Sequence, residues 1–176
     1  GLFYRVNYSY KDRYMLEANG RYDGTSRFPK NNRFGFFPSF SAGWRISEEP
    51  FMTATRDVLS NFKFRASWGS IGNQIILLAD GSPDNYPYIP EMAPGLTNWL
   101  VDGQRPTTLS TPPMVSSAFT WEKVYTLDFG VDFGFFDNRL NGTFDWYRRD
   151  TKGMLAPGMD LPWVVGVAAA KQNAAN

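Results

Sequence analysis

The sequence predicts an all-β chain that forms an antiparallel segment of a transmembrane β-barrel, with about six strands. Three observations support this fold class. Side chains alternate in polarity with a period of two, short and long connections alternate, and aromatic residues lie at both ends of the predicted strands. A period of two indicates extended strands, because successive side chains leave a pleated strand on opposite faces. Alternation alone also fits a soluble sandwich, so the other two observations decide the class.

The alternation is clearest in a predicted hairpin at 121–149. On its first arm, large apolar side chains alternate with polar or small ones: Tyr125, Leu127, Phe129, Val131 and Phe133 against Thr126, Asp128, Gly130, Asp132 and Gly134. After a tight turn at 136–139, the second arm repeats the pattern, with Leu140, Gly142, Phe144 and Trp146 against Asn141, Thr143, Asp145, Tyr147 and Arg149. One face therefore suits hydrocarbon and the other suits water.

Four more strands are expected before this hairpin, at 4–10, 14–22, 36–46 and 62–69. Pro38 belongs near the start of the third strand, where a missing backbone donor costs least. The connections are a turn at 11–13, a loop at 23–35, a segment with one helical turn at 47–61, and a long irregular stretch at 70–118. The tail from Thr151 is another loop, and its small residues at 167–170 could begin a further strand.

The connections sort by length in the way that membrane barrels sort theirs. Such barrels have short turns on the periplasmic side and long loops outside. If the turns at 11–13 and 137–139 are periplasmic, every long loop falls outside, and the medium segment at 47–61 also falls on the periplasmic side, where it fits least well. A soluble sheet has no reason to sort its loops, so this pattern favours the barrel.

The aromatic residues agree with the same orientation. Those expected near the inner interface are Tyr8, Tyr10, Tyr14, Trp44 and Phe133, and those expected near the outer one are Tyr22, Trp68, Trp121 and Trp146. At such interfaces ring bodies lie in lipid and polar tips reach water. The alternative is that these rings fill the core of a soluble protein.

Composition removes several classes of function. The 176 residues include no cysteine and no histidine, and the formal net charge is +1. This chain therefore offers no thiolate chemistry and no cysteine or histidine metal site, and no strong attraction to nucleic acid is expected. It has no phosphate loop or nucleophile elbow, and Asp80, Asp84 and Asn85 do not match the spacing of a standard calcium loop. We expect no enzyme activity, cofactor or metal.

A series of short segments, in order along most of the chain, resembles the SusC/RagA family of TonB-dependent outer-membrane transporters. These are RVNYSY at 5–10, RY at 13–14, DGTSRF at 23–28, FPSFSAGWR at 37–45, KFRASWG at 63–69, GNQ at 72–74, TWEK at 120–123, GVD at 130–132, RL at 139–140, YR at 147–148 and TK at 151–152. Each segment alone is weak, but the ordered set is specific. The stretch at 70–118 is the least similar part.

The resemblance implies a large plugged barrel of the 22-stranded kind. Residues 1–176 would all belong to the barrel domain, and the plug domain would not be in this chain. The resemblance also implies a multi-pass barrel in the outer membrane of a Gram-negative bacterium, in contact with its lipid. The implied function is import of an oligosaccharide or peptide, with a SusD-like surface lipoprotein as partner and the TonB complex as the source of energy.

Two sets of candidate site residues follow. The polar row is expected to face the lumen: Arg5, Glu17, Arg21, Arg45, Lys63, Arg65, Asp128, Asp132, Asp145 and Arg149. Confinement of charges to one face is informative, because an Arg or Lys facing lipid near the midplane costs about 2–4 kcal/mol. The row either grips the plug or substrate, or is merely a solvated wall.

The second set lies in the long loop. Tyr86, Tyr88, Trp99 and Asp102 are expected to touch substrate or the lipoprotein, since aromatic faces stack on sugars and nearby carboxylates accept hydrogen bonds from hydroxyls. Asp80, Asp84 and Asn85 are in the same loop. Alternatively, the rings only hold a long loop in place.

Two rival functions remain open from the residues. A soluble all-β carbohydrate-binding module would bury the row of Tyr4, Val6, Tyr8 and Tyr10 inside a core. A passive porin would share the wall but lack the family segments. A transporter segment expressed alone should aggregate, because its sheet edges are bare.

Overall fold

A computed structural model describes residues 1–77, 81–116, 118–156, 158, 161–167 and 169–175. Its main feature is a six-stranded sheet in the order β1-β2-β3-β4-β7-β8, with every neighbouring pair antiparallel. The strands of this sheet are β1 Leu2–Tyr10, β2 Tyr14–Gly24, β3 Phe34–Arg45, β4 Leu59–Asn73, β7 Glu122–Phe135 and β8 Leu140–Lys152. The predicted all-β, antiparallel arrangement of about six strands is confirmed, although the six strands do not close into a barrel.

Two small hairpins lie outside the main sheet. One pairs β5 Pro94–Leu96 with β6 Thr107–Leu109, and the other pairs β9 Met154–Ala156 with β10 Gln172–Ala175. The described part of 167–170 is not in a strand, so the predicted start of a further strand is wrong, and residue 168 lies outside the described residues. No helix in the described ranges is long and apolar enough to cross a membrane.

The short connections form at one end of the sheet. Lys11 and Asp12 have positive φ in the first turn, and so do Phe136, Asp137 and Asn138 in the last, which lets each hairpin reverse tightly. The predicted segment at 47–61 carries two 3-10 helices, Ile46–Glu48 and Pro50–Thr55, rather than one helical turn. β4 then begins earlier than predicted, with an irregularity between Leu59 and Asn61.

β4 is also longer than predicted at its other end. Residues 70–73 carry no apolar–polar alternation, so the pattern could not extend the strand beyond 69. Backbone pairing with the start of β7 carries it on to Asn73. Hydrogen bonding to a long neighbour therefore overrides the local pattern.

The register places every predicted apolar row on one face. Residues directly opposite in an antiparallel pair share a face. The apolar face is formed by residues such as Val6, Ala18, Phe40, Trp68, Leu127, Leu16, Ala42, Ala66, Phe129 and Trp146. The polar face, on the other side, carries Arg5, Glu17, Ser41, Arg65, Ser67, Asp132 and Asp145.

No second layer covers the apolar face in the described part of the chain. Phe129 on the inner strand β7 is 38% exposed, and Phe144 on the edge strand β8 is 65% exposed. Neighbouring rings stack across strands, as Phe129 does with Phe64 at 6.3 Å and with Trp146 at 6.0 Å between ring centroids. A soluble sandwich would have sealed these side chains between two layers.

The aromatic residues of the outer end run diagonally across the sheet, as strand tilt requires. Following directly opposite residues across the sheet from Trp146 of β8 leads to Leu16 of β2. The outer aromatic residue of β2, however, is Tyr22. The offset between these two positions on β2 is about 20 Å, and the four strand spacings from β2 to β8 span about 19 Å. The strands are therefore inclined by about 45° to the line joining the rings, which is close to the tilt of barrel strands.

This tilt gives the apolar band the height of a membrane. On β7 the apolar row runs from Tyr125 to Phe135, about 34 Å along the strand. At a tilt of about 45° its height is roughly 24 Å, close to the 25 Å band of outer-membrane barrels. We call the diagonal through Tyr22, Trp68 and Trp146 the outer belt.

The confinement of charges to the polar face holds only between the two aromatic ends of the strands. Arg148 is directly opposite Leu127, and Asp150 is opposite Tyr125, so both are on the apolar face. They lie beyond Trp146, on the side of the long loops. The predicted confinement is therefore wrong beyond the outer belt, because the cost of a charge falls to about 0–1 kcal/mol near an interface.

The buried core lies among the long loops and not in the sheet. It consists of Phe28, Phe37, Ile76, Phe119 and Trp121, which we call the loop core. The placement of Trp121 in the outer belt is wrong. It precedes β7, so strand alternation does not orient it, and its ring packs edge-on against Phe28 and Phe37 at 5.5 and 5.2 Å between centroids.

Candidate functional site

A groove of about 1250 Å³ runs along the polar face toward the long loops. Side chains of β1 to β4 line it, among them Arg5, Glu17, Asn19, Arg21 and Ser41. Phe37 and Trp121 of the loop core border it. The strand register thus brings predicted polar residues from separate parts of the chain to one concave surface.

The strongest polar contacts of this face lie around Arg65 of β4. Its guanidinium donates to both carboxylate oxygens of Asp132, from Nε at 2.9 Å and from Nη2 at 3.0 Å. Nη2 also donates to Oδ1 of Asp145 at 2.9 Å, and the Thr143 hydroxyl donates to Asp132 at 3.2 Å. One arginine therefore links three adjacent strands through planar, charge-assisted bonds.

Gly130 makes room for this network. A Cβ at residue 130 would lie 2.7 Å from Nη2 of Arg65 and would also meet Oδ1 of Asp145. Any side chain there would push the guanidinium away from the sheet. The glycine on the polar face of β7 thus has a steric reason, which alternation alone did not reveal.

The remaining predicted polar residues make weaker contacts. Nε of Arg5 is 3.6 Å from Glu17 and donates to Asn19 at 2.8 Å, and Arg21 pairs with Asp23 at 3.1 Å. Such exposed pairs contribute little to stability. Arg45 is directly opposite Lys63, and Asp128 is directly opposite Ser67. Arg45 and Asp128 make no ion pair with any described residue.

The predicted contact residues of the long loop do not lie in one environment. Tyr86 is 51% exposed and Trp99 is 64% exposed, whereas Tyr88 packs against the loop core. Asp102 lies with Gly103 at the tip of the β5–β6 hairpin, and both have positive φ. That dipeptide is a strong hairpin signal, and it could have located β5 and β6 from the sequence.

The hairpin tip is held by contacts that the sequence did not predict. The Thr97 hydroxyl donates to the carbonyl of Trp99 at 2.9 Å, and Nε of Arg105 donates to the carbonyl of Thr97 at 2.6 Å. Nη2 of Arg105 also donates to Asn98 at 3.2 Å. Trp99 is therefore exposed at the end of a short segment, 97–99, that these hydrogen bonds hold.

The possible acidic cluster of the loop is only partly visible, because Asp80 lies outside the described residues. Asp84 accepts a hydrogen bond from the backbone N–H of Tyr86 at 3.1 Å, which closes a local turn. Among the described residues, no group of three acidic side chains is placed to hold a metal ion.

At the short-turn end, an unpredicted cluster surrounds Glu49, which is 7% exposed. Its Oε1 accepts hydrogen bonds from the Tyr14 hydroxyl at 2.6 Å and the Trp44 indole N–H at 3.1 Å. Its Oε2 is 3.4 Å from Nη1 of Arg13. The Tyr14 bond, then the Trp44 bond and the Arg13 charge, hold the pKa of Glu49 below its usual value, against the effect of burial.

We expect this cluster to make the connection at 46–58 sensitive to acid. The lowered pKa means that Glu49 stabilises the folded connection above about pH 4.3 and loses that effect as the pH falls through its folded value. Amide protection factors of 46–58, which are corrected for the pH dependence of intrinsic exchange, should fall as acid protonates Glu49, and Glu49→Gln should lower them already at neutral pH.

Glu48→Gln is the matched control for this prediction. Glu48 pairs with Arg56 at 2.9 Å, but both side chains are nearly half exposed, so its loss should change little. The prediction is wrong if Glu49→Gln keeps both the wild-type exchange rate at neutral pH and the wild-type acid transition.

Comparisons with known proteins agree with this arrangement. The family model described as TonB dependent receptor-like, beta-barrel matches residues 1–175. The chain is 38% identical over 156 residues to TonB-dependent receptor SusC of Bacteroides thetaiotaomicron, covering 87% of this chain and 15% of that protein. It is 33% identical over 172 residues to TonB-dependent receptor P3 of Formosa agariphila, covering 98% of this chain and 16% of that protein.

Solved structures give the same result. The RagAB peptide importer in the closed-closed state matches with a TM-score of 0.74 and 27% identity, over 97% of this chain and 17% of that chain. The open-open state of the same importer matches with a TM-score of 0.71 and 29% identity, over the same shares. The chain thus spans about one-sixth of the length of the relatives that it matches.

Proposed function

Because the chain belongs to the TonB-dependent receptor-like β-barrel family, we propose that the receptor of which it is a part imports nutrients across the outer membrane. The chain is a barrel segment of the outer membrane, as in the SusC and RagA type of receptor. The single observation that carries the proposal is the two-faced sheet. One face exposes large apolar side chains, and the other carries charges along a groove.

Other functions fit the chain less well. The family to which the chain belongs rules out a soluble carbohydrate-binding module. Such a module would also cover the apolar face of the sheet with a second layer, and the described residues form no such layer. A passive porin is not the family that matches. The relatives are receptors rather than enzymes.

The substrate that we propose is an oligosaccharide or a peptide. A similar structure is named a peptide importer, and the exposed rings of Tyr86 and Trp99 with the Asp102 carboxylate suit either ligand. The proposed partner is a SusD-like surface lipoprotein on the side of the long loops. We further propose that residues 1–176 lie wholly within the barrel domain, and that the plug and the contact with the TonB complex come from other parts of the receptor.

Deletion of the full-length receptor gene tests the proposed import. Labelled oligosaccharide and peptide pools would be supplied to deletion cells, to cells complemented with the receptor, and to complemented cells that lack TonB. Import predicts that uptake of one pool requires both the receptor and TonB. Equal uptake in all three strains for both pools would contradict the proposal.

Exposed loop rings should contribute to substrate or lipoprotein binding. Replacing Trp99 and Tyr86 with alanine should lower uptake roughly tenfold, as expected when exposed aromatic anchors are truncated. Receptor in the outer membrane should remain at its normal level, because neither ring belongs to the loop core. Phe51→Ala removes a ring that is 66% exposed at the opposite end and serves as the control. Normal uptake by the Trp99 and Tyr86 variant would remove these residues from the site.

A further inference from the structure

A small group of charges lies on the apolar face, beyond the outer belt and beside the long loops. Its members are Lys123 at the start of β7 and Arg148, Asp150 and Lys152 at the end of β8. Lys123 precedes Tyr125 by two residues and Arg148 follows Trp146 by two, so alternation puts them on the face that the belt rings occupy. These charges therefore point toward the membrane side of the wall and away from the groove.

The group carries a net positive charge that the described residues do not neutralise. Nε of Arg148 pairs with Asp150 at 3.0 Å. Lys123 and Lys152 are directly opposite each other, and neither pairs with a carboxylate in the described part of the chain. Two like charges in directly opposite positions destabilise a sheet. An anion bound between them would remove that repulsion.

The two lysines are also placed at the level of a lipid headgroup. Nζ of Lys152 lies 5.7 Å from the centroid of the Tyr125 ring, so its ammonium leans back toward the belt. Lys123, on the neighbouring strand, is half-buried. This is the way lysine places a charged head in the interface while its stem covers apolar surface.

On the apolar face, this positive charge is restricted to the β7–β8 edge of the sheet. At the loop end of β1 to β3, the same face carries Leu2, Tyr22 and Phe34, and Tyr22 stacks on Phe34 at 5.3 Å. The lysine pair is therefore a local feature and not a general fringe of charges. A localised pair of cations at an interface suits a discrete anionic group.

We propose that Lys123 and Lys152 bind a phosphate group of a phosphorylated glycolipid, of the lipid A type, in the outer leaflet. Lysine binds phosphate as a point charge, and two lysines would share one phosphate. The lipid is favoured over free phosphate because the pair is on the membrane side of the wall, next to the belt. The proposal depends on the orientation of the barrel, with long loops outside, and not on transport.

The test uses the full-length receptor in nanodiscs of neutral lipid. The probes are bisphosphorylated lipid A, the same lipid A after phosphatase treatment, and inorganic phosphate. Wild-type receptor should bind the phosphorylated lipid most tightly. The double variant Lys123→Gln, Lys152→Gln should bind it about 25-fold more weakly, since each lysine near a charged interface contributes about fivefold.

Lys11→Gln is the matched control. Nζ of Lys11 lies 5.3 Å from the Tyr10 ring centroid, a similar arrangement at the periplasmic end, and its loss should leave binding of lipid A unchanged. Wild-type affinity in the double variant would overturn the proposal. So would equal binding of the dephosphorylated lipid to wild type, a comparison that needs no variant to fold. If inorganic phosphate bound as tightly as lipid A, the site would be one for free anions and the proposal would be wrong.

Discussion

Replacing Phe129 with arginine should remove most folded receptor from the outer membrane. Phe129 lies in the middle of the apolar row of β7, and its ring stacks on Phe64 and Trp146. An arginine there would face hydrocarbon near the midplane, which costs about 2–4 kcal/mol, and both ring contacts would be lost as well. The measurement is the amount of heat-modifiable receptor in outer-membrane fractions.

Ser67→Arg is the control for this substitution. The row of Phe129 passes through Ala66, so Ser67 is the next residue on β4 and faces the other way. An arginine at 67 would be directly opposite Asp128 on the polar face, where water and a carboxylate can accommodate it. Near-normal levels of the Ser67 variant beside a loss of the Phe129 variant would follow from the two-faced wall. Equal loss of both variants from the outer membrane, or no loss of either, would contradict a two-faced wall.

Replacing Trp121 with alanine should release the long loops from the wall while the strands stay paired. Trp121 is 6% exposed, and its indole N–H donates to the carbonyl of Arg33 at 3.2 Å. Truncating a buried tryptophan costs about 3–5 kcal/mol, and here the loss falls on loop docking rather than on the sheet. Trypsin should then cleave at Arg27 and Arg33 much faster than in wild type.

Trp99→Ala distinguishes the loss of packing from the loss of a tryptophan. Trp99 is 64% exposed and lies outside the loop core, so its removal should leave cleavage at both arginines unchanged. If Trp121→Ala also left cleavage unchanged, the loop core would not be what orders this end of the protein.

The strands and their faces were predictable because they depend on short-range information. Whether Leu127 and Phe129 share a face is decided by their spacing of two residues, and the turn at 136–139 fixes which side of β8 meets them. Alternation placed Trp121 incorrectly, because the period of two holds only while the backbone stays in the strand. It also failed for Arg148 and Asp150, which lie where the membrane no longer penalises charge.

The loops were less predictable because their contacts join residues that are far apart in sequence. Nδ2 of Asn32 donates to the carbonyl of Phe119 at 3.0 Å, and Nδ2 of Asn173 donates to the carbonyls of Thr120 and Gly153 at 3.1 and 2.7 Å. No local pattern indicates such pairs.

The polar site was predictable in composition but not in detail. Alternation placed Arg65, Asp132 and Asp145 on one face, and this is where the structure has them. It could not show that a single guanidinium bonds both carboxylates, since that depends on the relative register of three strands. The Glu49 cluster was missed for a similar reason: Glu49 precedes a proline in a connection, and its partners come from two strands.

Spin labelling tests most directly whether one face of the wall contacts hydrocarbon and the other an aqueous interior. This chain contains no cysteine. In a full-length receptor with any other cysteines replaced, single cysteines at positions 127–129 and 131–133 can each carry a nitroxide after reconstitution in bilayers, and Gly130 is left unchanged because a side chain there would meet Arg65. Odd positions should be accessible to dissolved oxygen and shielded from a water-soluble nickel complex, and even positions should show the reverse. Equal accessibility at odd and even positions, or the opposite alternation, would contradict the account.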